Sequence, residues 1–137
     1  MTERADVELR LPADGAYASV LRTTTAALAA RLDFTIDDIE DLRMAVAEAT
    51  AMVLEVADEG TDLVSHFSLS PGGMTVSVSV GAQAPGRPDY DSFAWQVLTT
   101  LASSAEVEVD GGRFTVSMTM SSTATDPQGP ATPEATS

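Results

Sequence analysis

The chain has 137 residues, 44% of them hydrophobic, and 7 cationic against 21 acidic side chains, for a net charge of −14. That length suits one domain with a sizeable core, while the lack of cysteine excludes disulfides, thiolate catalysis and thiolate zinc sites, and a lone histidine, His66, excludes a histidine metal cluster. So few cations argue against direct nucleic-acid or anionic-membrane binding; so acidic a domain suits a basic protein partner, or simply solubility.

In chain order, Val7-Glu8-Leu9-Arg10-Leu11 alternates apolar and charged residues, which predicts a strand with one buried face. Asp14 is placed to cap a first helix whose apolar stripe is Tyr17, Val20, Leu21, Thr24, Leu28 and Leu32. Thr35-Ile36-Asp37-Asp38 reads as a capping box with Asp in place of Glu. It opens a second helix with Ile39, Leu42, Val46, Ala49, Val53 and Val56 on one face, ended by Gly60. Strands follow at about 62–69 and 74–80, turned at Ser70-Pro71-Gly72-Gly73. After a Gly/Pro-rich loop, 81–90, a third helix at about 91–103 is expected to bury Phe93, Val97, Leu98 and Leu101. A last hairpin turns at Asp110-Gly111-Gly112 and ends near Met118. From 121 to 137 the chain is polar with three prolines and is expected to be a disordered tail. This order predicts an α+β, two-layer sandwich, a mostly antiparallel sheet with helices on one face.

The stretch Asp41-Leu42-Arg43-Met44-Ala45-Val46-Ala47-Glu48 and, downstream, Ser92-Phe93-Ala94-Trp95-Gln96-Val97-Leu98-Thr99-Thr100-Leu101-Ala102 resemble the small anti-sigma factors of the histidine-kinase-like (GHKL) ATPase superfamily. The likeness is to the RsbW/SpoIIAB type, nearest its actinobacterial anti-sigma-F branch, over roughly 5–120. It implies a Bergerat-type fold over 1–120, a cytoplasmic, stress-response regulator, a homodimer, and two protein partners: a sigma factor and an anti-anti-sigma (STAS-type) protein. Consistent with this, no apolar run is long enough to span a membrane, and Met-Thr-Glu-Arg-Ala-Asp does not read as a signal peptide.

The family's helix carries a Glu-x-x-x-Asn nucleotide site. Here Glu48 stands at the Glu, but Met52 stands where the Asn would hold Mg²⁺. A thioether is a poor ligand for that hard cation, so Mg²⁺ is not expected. Glu48 is either the family's general base or one of an acidic stripe with Asp41 and Glu55; Met52 suits core packing. Val80 replaces the Asp that binds adenine, and Ala82 and Ala84 replace its two glycines. Ser92-Phe93-Ala94 replaces the Gly-x-Gly lid, and Gly111-Gly112-Arg113 the Gly-Thr-Thr element, where Arg113 is a phosphate contact or an ordinary turn arginine. Trp95 suits the core. Arg22 aligns with the family's arginine that touches both partners and is read beside Ala18, Thr25, Ala26 and Ala29, as an interface anchor or a solvated charge. These residues together predict an anti-sigma factor that sequesters a sigma factor by protein contact, with no ATP binding or weak ATP binding in a degenerate pocket. The alternative is an ATP-dependent serine-protein kinase acting on the anti-anti-sigma protein, with Glu48 as its base.

Overall fold

A computed structural model describes residues 5–123. They run β1 (Val7–Pro12), α1 (Ala18–Ala30), α2 (Ile36–Val56), β2 (Asp62–Ser70), β3 (Gly73–Gly81), α3 (Phe93–Leu101), β4 (Ser104–Asp110) and β5 (Arg113–Ser121). The strands form one sheet in the order β1-β2-β3-β5-β4, every pairing antiparallel. The architecture is the expected α+β sandwich with its helices on one face of the sheet.

Alternation explains the sidedness. Met74, Val76, Val78 and Val80 of β3 and Phe114, Val116, Met118 and Met120 of β5 all point to the helix layer and are buried. The residues between them, such as Ser77, Ser79, Thr115, Ser117 and Thr119, coat the helix-free face. There Glu8 accepts a hydrogen bond from His66 at 3.0 Å, and Arg10 reaches Glu8 and Asp62 at 3.3 Å. The His66 bond, despite some desolvation, holds the Glu8 carboxyl below its usual value. The β4–β5 turn is closed by Gly111 (φ 61) and Gly112 (φ 77), the pair of positive φ angles that a two-residue hairpin twist requires. Gly81 is required for a different reason, since a Cβ there would meet Thr61 Oγ1 at 2.7 Å, the hydroxyl that accepts the Gly81 N–H at 2.9 Å.

α2 is the element on which the others pack. Leu42, Ala45, Val46, Ala49 and Val53 are each 0% exposed and face β3, β5, α1 and α3. Full burial of each larger aliphatic stabilises the fold by about 1.5–3 kcal/mol. Thr50, on the same face, satisfies its hydroxyl by donating to the Val46 carbonyl at 2.7 Å.

Three expectations need correction. Asp14 caps a short 3-10 turn, Gly15–Tyr17, rather than the α-helix itself. α1 is also rotated from the expected stripe: its buried residues are Leu21, Thr25 and Ala29, while Tyr17 and Val20 are exposed. The rotation is possible because Thr25 donates to the Leu21 carbonyl at 2.7 Å and so buries no unsatisfied hydroxyl. In α3, Leu98 is buried and Trp95 and Leu101 pack on the core, but Phe93 is 76% exposed. The helix starts at Phe93 with Ser92 as its cap, so Phe93 projects from the first turn, outside the core.

The expected tail boundary also moves. β5 runs through Ser121, Ser122 Oγ donates to the Asp33 carbonyl at 2.9 Å, and Thr123 donates its N–H and hydroxyl to Asp38 at 2.9 and 3.0 Å. The rest of the expected tail, 124–137, lies outside the described residues. Asp38 therefore serves two segments. It closes the capping box with Thr35, through bonds of 3.0 and 3.1 Å, and it holds Thr123 against the start of α2. Burial works against its charge, but the hydrogen bonds from Thr123 and Thr35 prevail and hold the carboxyl below its usual value.

Asp38→Ala removes a cap and leaves donors of two segments unanswered, and is expected to cost about 1–3 kcal/mol in urea unfolding. Because the folded pKa is lowered, this contribution is fully present above the ordinary carboxyl pKa of 3.8 and is lost as pH falls through the folded value. The stability gap between wild type and Asp38→Ala should thus be constant at neutral pH and narrow in acid; a gap that widens in acid would refute the assignment.

Candidate functional site

Four of the sequence-selected positions, Glu48, Met52, Ser92 and Ala94, converge beside the second half of α2. A cleft of about 420 Å³ opens between the second half of α2, the loop before α3 and the first turn of α3, with Phe114 of β5 at its base. α2 contributes Glu48, Ala51, Met52, Glu55 and Val56; the loop contributes Pro85, Arg87, Pro88 and Asp89; α3 contributes Ser92, Phe93 and Ala94. Residues 48, 52, 55 and 56 share this wall because three- and four-residue steps return to one side of a helix.

The loop wall is held by side chains that accept its backbone N–H groups. Asp58 accepts the Gln83 N–H with both carboxylate oxygens, at 3.1 and 3.0 Å, and its own N–H donates to the Gly81 carbonyl at 2.8 Å. Farther on, Asp89 Oδ1 accepts the Asp91 N–H at 3.0 Å, and Ser92 Oγ accepts the Trp95 N–H at 3.1 Å, which caps α3. Tyr90 meets Trp95 edge to face, ring centres 5.2 Å apart, and so ties the loop to the helix.

Of the expected site residues, Glu48, Met52, Ser92 and Ala94 line this cleft, all half-buried. Val80 does not: it is 0% exposed, within the core, opposite Leu63 and Phe114. Arg113 lies elsewhere too. Phe114 points inward, so Arg113 beside it must point to the helix-free face. It donates to Ser79 Oγ at 3.0 Å there, in a shallow depression shared with Arg10, His66 and Thr115. Of the two readings of Arg113, strand alternation favours an arginine of the surface layer over a contact in this cleft. Arg22 is half-buried between Ala18 and Ala26, with no side-chain partner among the described residues, but Thr25 and Ala29 belong to the core rather than to its surface surroundings.

The sequence reading missed Arg87, Asp89 and Phe93 as cleft residues, and it left Glu55 on a solvated stripe. The seven-residue spacing from Glu48 to Glu55 was the available signal for Glu55. Nothing in the loop sequence fixes which way Arg87 and Asp89 face.

No family model matches the chain. The serine-protein kinase RsbW of Halalkalibacterium halodurans is 38% identical over 88 residues, 64% of this chain and 52% of that protein. Those of Bacillus velezensis and Bacillus thuringiensis are 39% and 38% identical over 61 and 58 residues, covering 43% and 42% of this chain. The crystal structure of the RsbU and RsbW domains of Rv1364c from Mycobacterium tuberculosis matches with a TM-score of 0.63 over 85% of this chain and 32% of that one, at 18% identity. This chain resembles RsbW in sequence and in fold. It spans 52% of the Halalkalibacterium RsbW and 38% and 36% of the two Bacillus RsbW proteins. Among the described residues no helix is long and apolar enough to cross a membrane.

The burial of Val80 in this RsbW-like sheet gives a direct test. Val80→Asp would place a carboxylate among Leu63 and Phe114 with no cross-strand polar partner, a loss of about 3–5 kcal/mol in denaturant unfolding. A loss below about 1 kcal/mol would mean that this strand end opens to the cleft and that its burial is misassigned.

Proposed function

We propose that the chain is an anti-sigma factor that sequesters a sigma factor by protein contact and whose cleft has lost tight nucleotide binding. The observation that carries this reading is Met52. It sits in the cleft one turn from Glu48, where the family's site needs an oxygen ligand for Mg²⁺. Two further features agree with it. Val80, at the position of the family's adenine-binding Asp, is an apolar side chain buried in the core and offers the cleft no acceptor. The lid segment Ser92-Phe93-Ala94 has no glycine to let backbone approach phosphates. Mg-ATP thus fits these residues poorly.

The second reading is an ATP-dependent serine-protein kinase acting on an anti-anti-sigma protein. It is favoured by the RsbW relatives, each a serine-protein kinase, and by Glu48 in the cleft, the position of the general base. Calorimetry with Mg-ATP separates the two. Loss of the metal ligand and of one buried donor–acceptor pair, at about 1–3 kcal/mol each, should weaken affinity from tenfold to several hundredfold relative to a competent site. Low-micromolar binding would favour the kinase and overturn the leading reading.

For partner contact we propose Arg22. It lies on α1 between two alanines, with its guanidinium unpaired among the described residues, and is available for a bidentate pair with a partner carboxylate. The partners proposed are a sigma factor and an anti-anti-sigma protein, with the chain itself a homodimer in the cytoplasm. Arg22→Ala should weaken sigma binding by about thirtyfold or more, about 2–4 kcal/mol, with a melting temperature within a few degrees of wild type. Unchanged affinity in calorimetry on the purified pair would place the docking face elsewhere.

A further inference from the structure

We propose that the cleft beside α2 is a docking groove for a basic, amphipathic segment of a partner protein. Its lining mixes charged groups with apolar ones, the half-buried Met52 and Val56 above a buried Phe114, and its rim carries Phe93, 76% exposed. Aromatic and thioether groups left open to solvent in a concave site are the surfaces that partner side chains desolvate. The charges in the groove select the partner. Glu48 and Glu55 have no side-chain partner among the described residues, and Asp89 adds a third carboxylate. Opposing them are the Arg87 guanidinium and the first turn of α3, where Ser92 already occupies the Trp95 N–H. The carboxylates outnumber the cation, in a chain whose net charge is −14. A polyphosphate would meet repulsion along the α2 wall, whereas an arginine or lysine would find a carboxylate for its head and an apolar floor for its stem.

The spacing sharpens the fit. Glu48 and Glu55 are two turns apart on one wall, about 10 Å along the helix axis. A partner helix with cations seven positions apart, and leucine-like residues between them, would set both cations on the two carboxylates and the apolar residues on the floor. This is helix-in-groove recognition with charged ends.

The inference rests on the reading of the cleft as having lost tight nucleotide binding, and the test separates the two. The probe is an alanine-based helical peptide, acetylated and amidated, with two arginines seven positions apart and two leucines between them, titrated into the full chain by calorimetry. Fluorescence of Trp95, the single tryptophan and part of α3, gives a second readout. Saturable binding is expected. It should weaken at least tenfold when glutamates replace the peptide's arginines or serines replace its leucines, and again in Glu48→Gln/Glu55→Gln. It should also weaken as salt is raised. No binding to wild type, or equal binding by the glutamate peptide, overturns the groove without needing any protein variant. Unchanged affinity in the folded double variant does the same. A parallel titration with Mg-ATP addresses the underlying reading: low-micromolar ATP binding overturns that reading and the groove with it, while failure of both ligands overturns the groove alone.

Discussion

One helix does two jobs, and the molecule is organised by that constraint. α2 must present Leu42, Val46, Ala49 and Val53 to the sheet, where they are wholly buried, and this rotation leaves Glu48, Met52 and Glu55 no direction but the flank. Met52 and Val56 also pack against the core from this flank, so an apolar exchange there keeps the packing, whereas rotating the helix would break core and site together. The proposed loss of nucleotide binding at Met52 is physically plain on this account: a thioether exchanges a ligand atom for apolar surface without disturbing the packing one residue farther on.

The sheet imposes a second division. Its inward side chains are apolar apart from Ser65 and its outward ones are mostly serine, threonine and charge, so neighbours in sequence end on opposite sides of the molecule. Phe114 and Arg113 are the clearest pair. Phe114 forms the base of the cleft, and Arg113, one residue away, is engaged with Ser79 on the far face. The arginine thereby becomes part of a polar surface layer. The ends of the helix layer are fastened in the same economical way. Asp38 joins the connection before α2 to the residues after β5, so the last described residues are drawn back onto the helix that the core depends on.

The electrostatics of the cleft follow from where these elements meet. α2 brings carboxylates; the loop before α3 brings one arginine and another carboxylate. On the proposed reading, such a site favours a cation carried on an apolar stem over a triphosphate. The protein recognition proposed at Arg22 on α1 and at the groove beside α2 needs neither metal nor nucleotide.

By itself the sequence determined the element order, the capping box at Thr35 and Asp38, the sidedness of β3 and β5 and the presence of Glu48 and Met52 on one flank of α2. These were legible because each follows from a local period of 2 or 3.6 residues, or from a side chain bonding its own backbone nearby. The rotation of α1 was not legible, because Thr25 looks polar until its hydroxyl is seen bonded to Leu21. Nor were the exposure of Phe93 or the approach of Arg87 and Asp89 to α2. Those depend on where a loop with no period of its own is carried by β3, Asp58 and the Tyr90–Trp95 contact. Only tertiary structure decides such positions, because the forces that fix them act between residues distant in the chain.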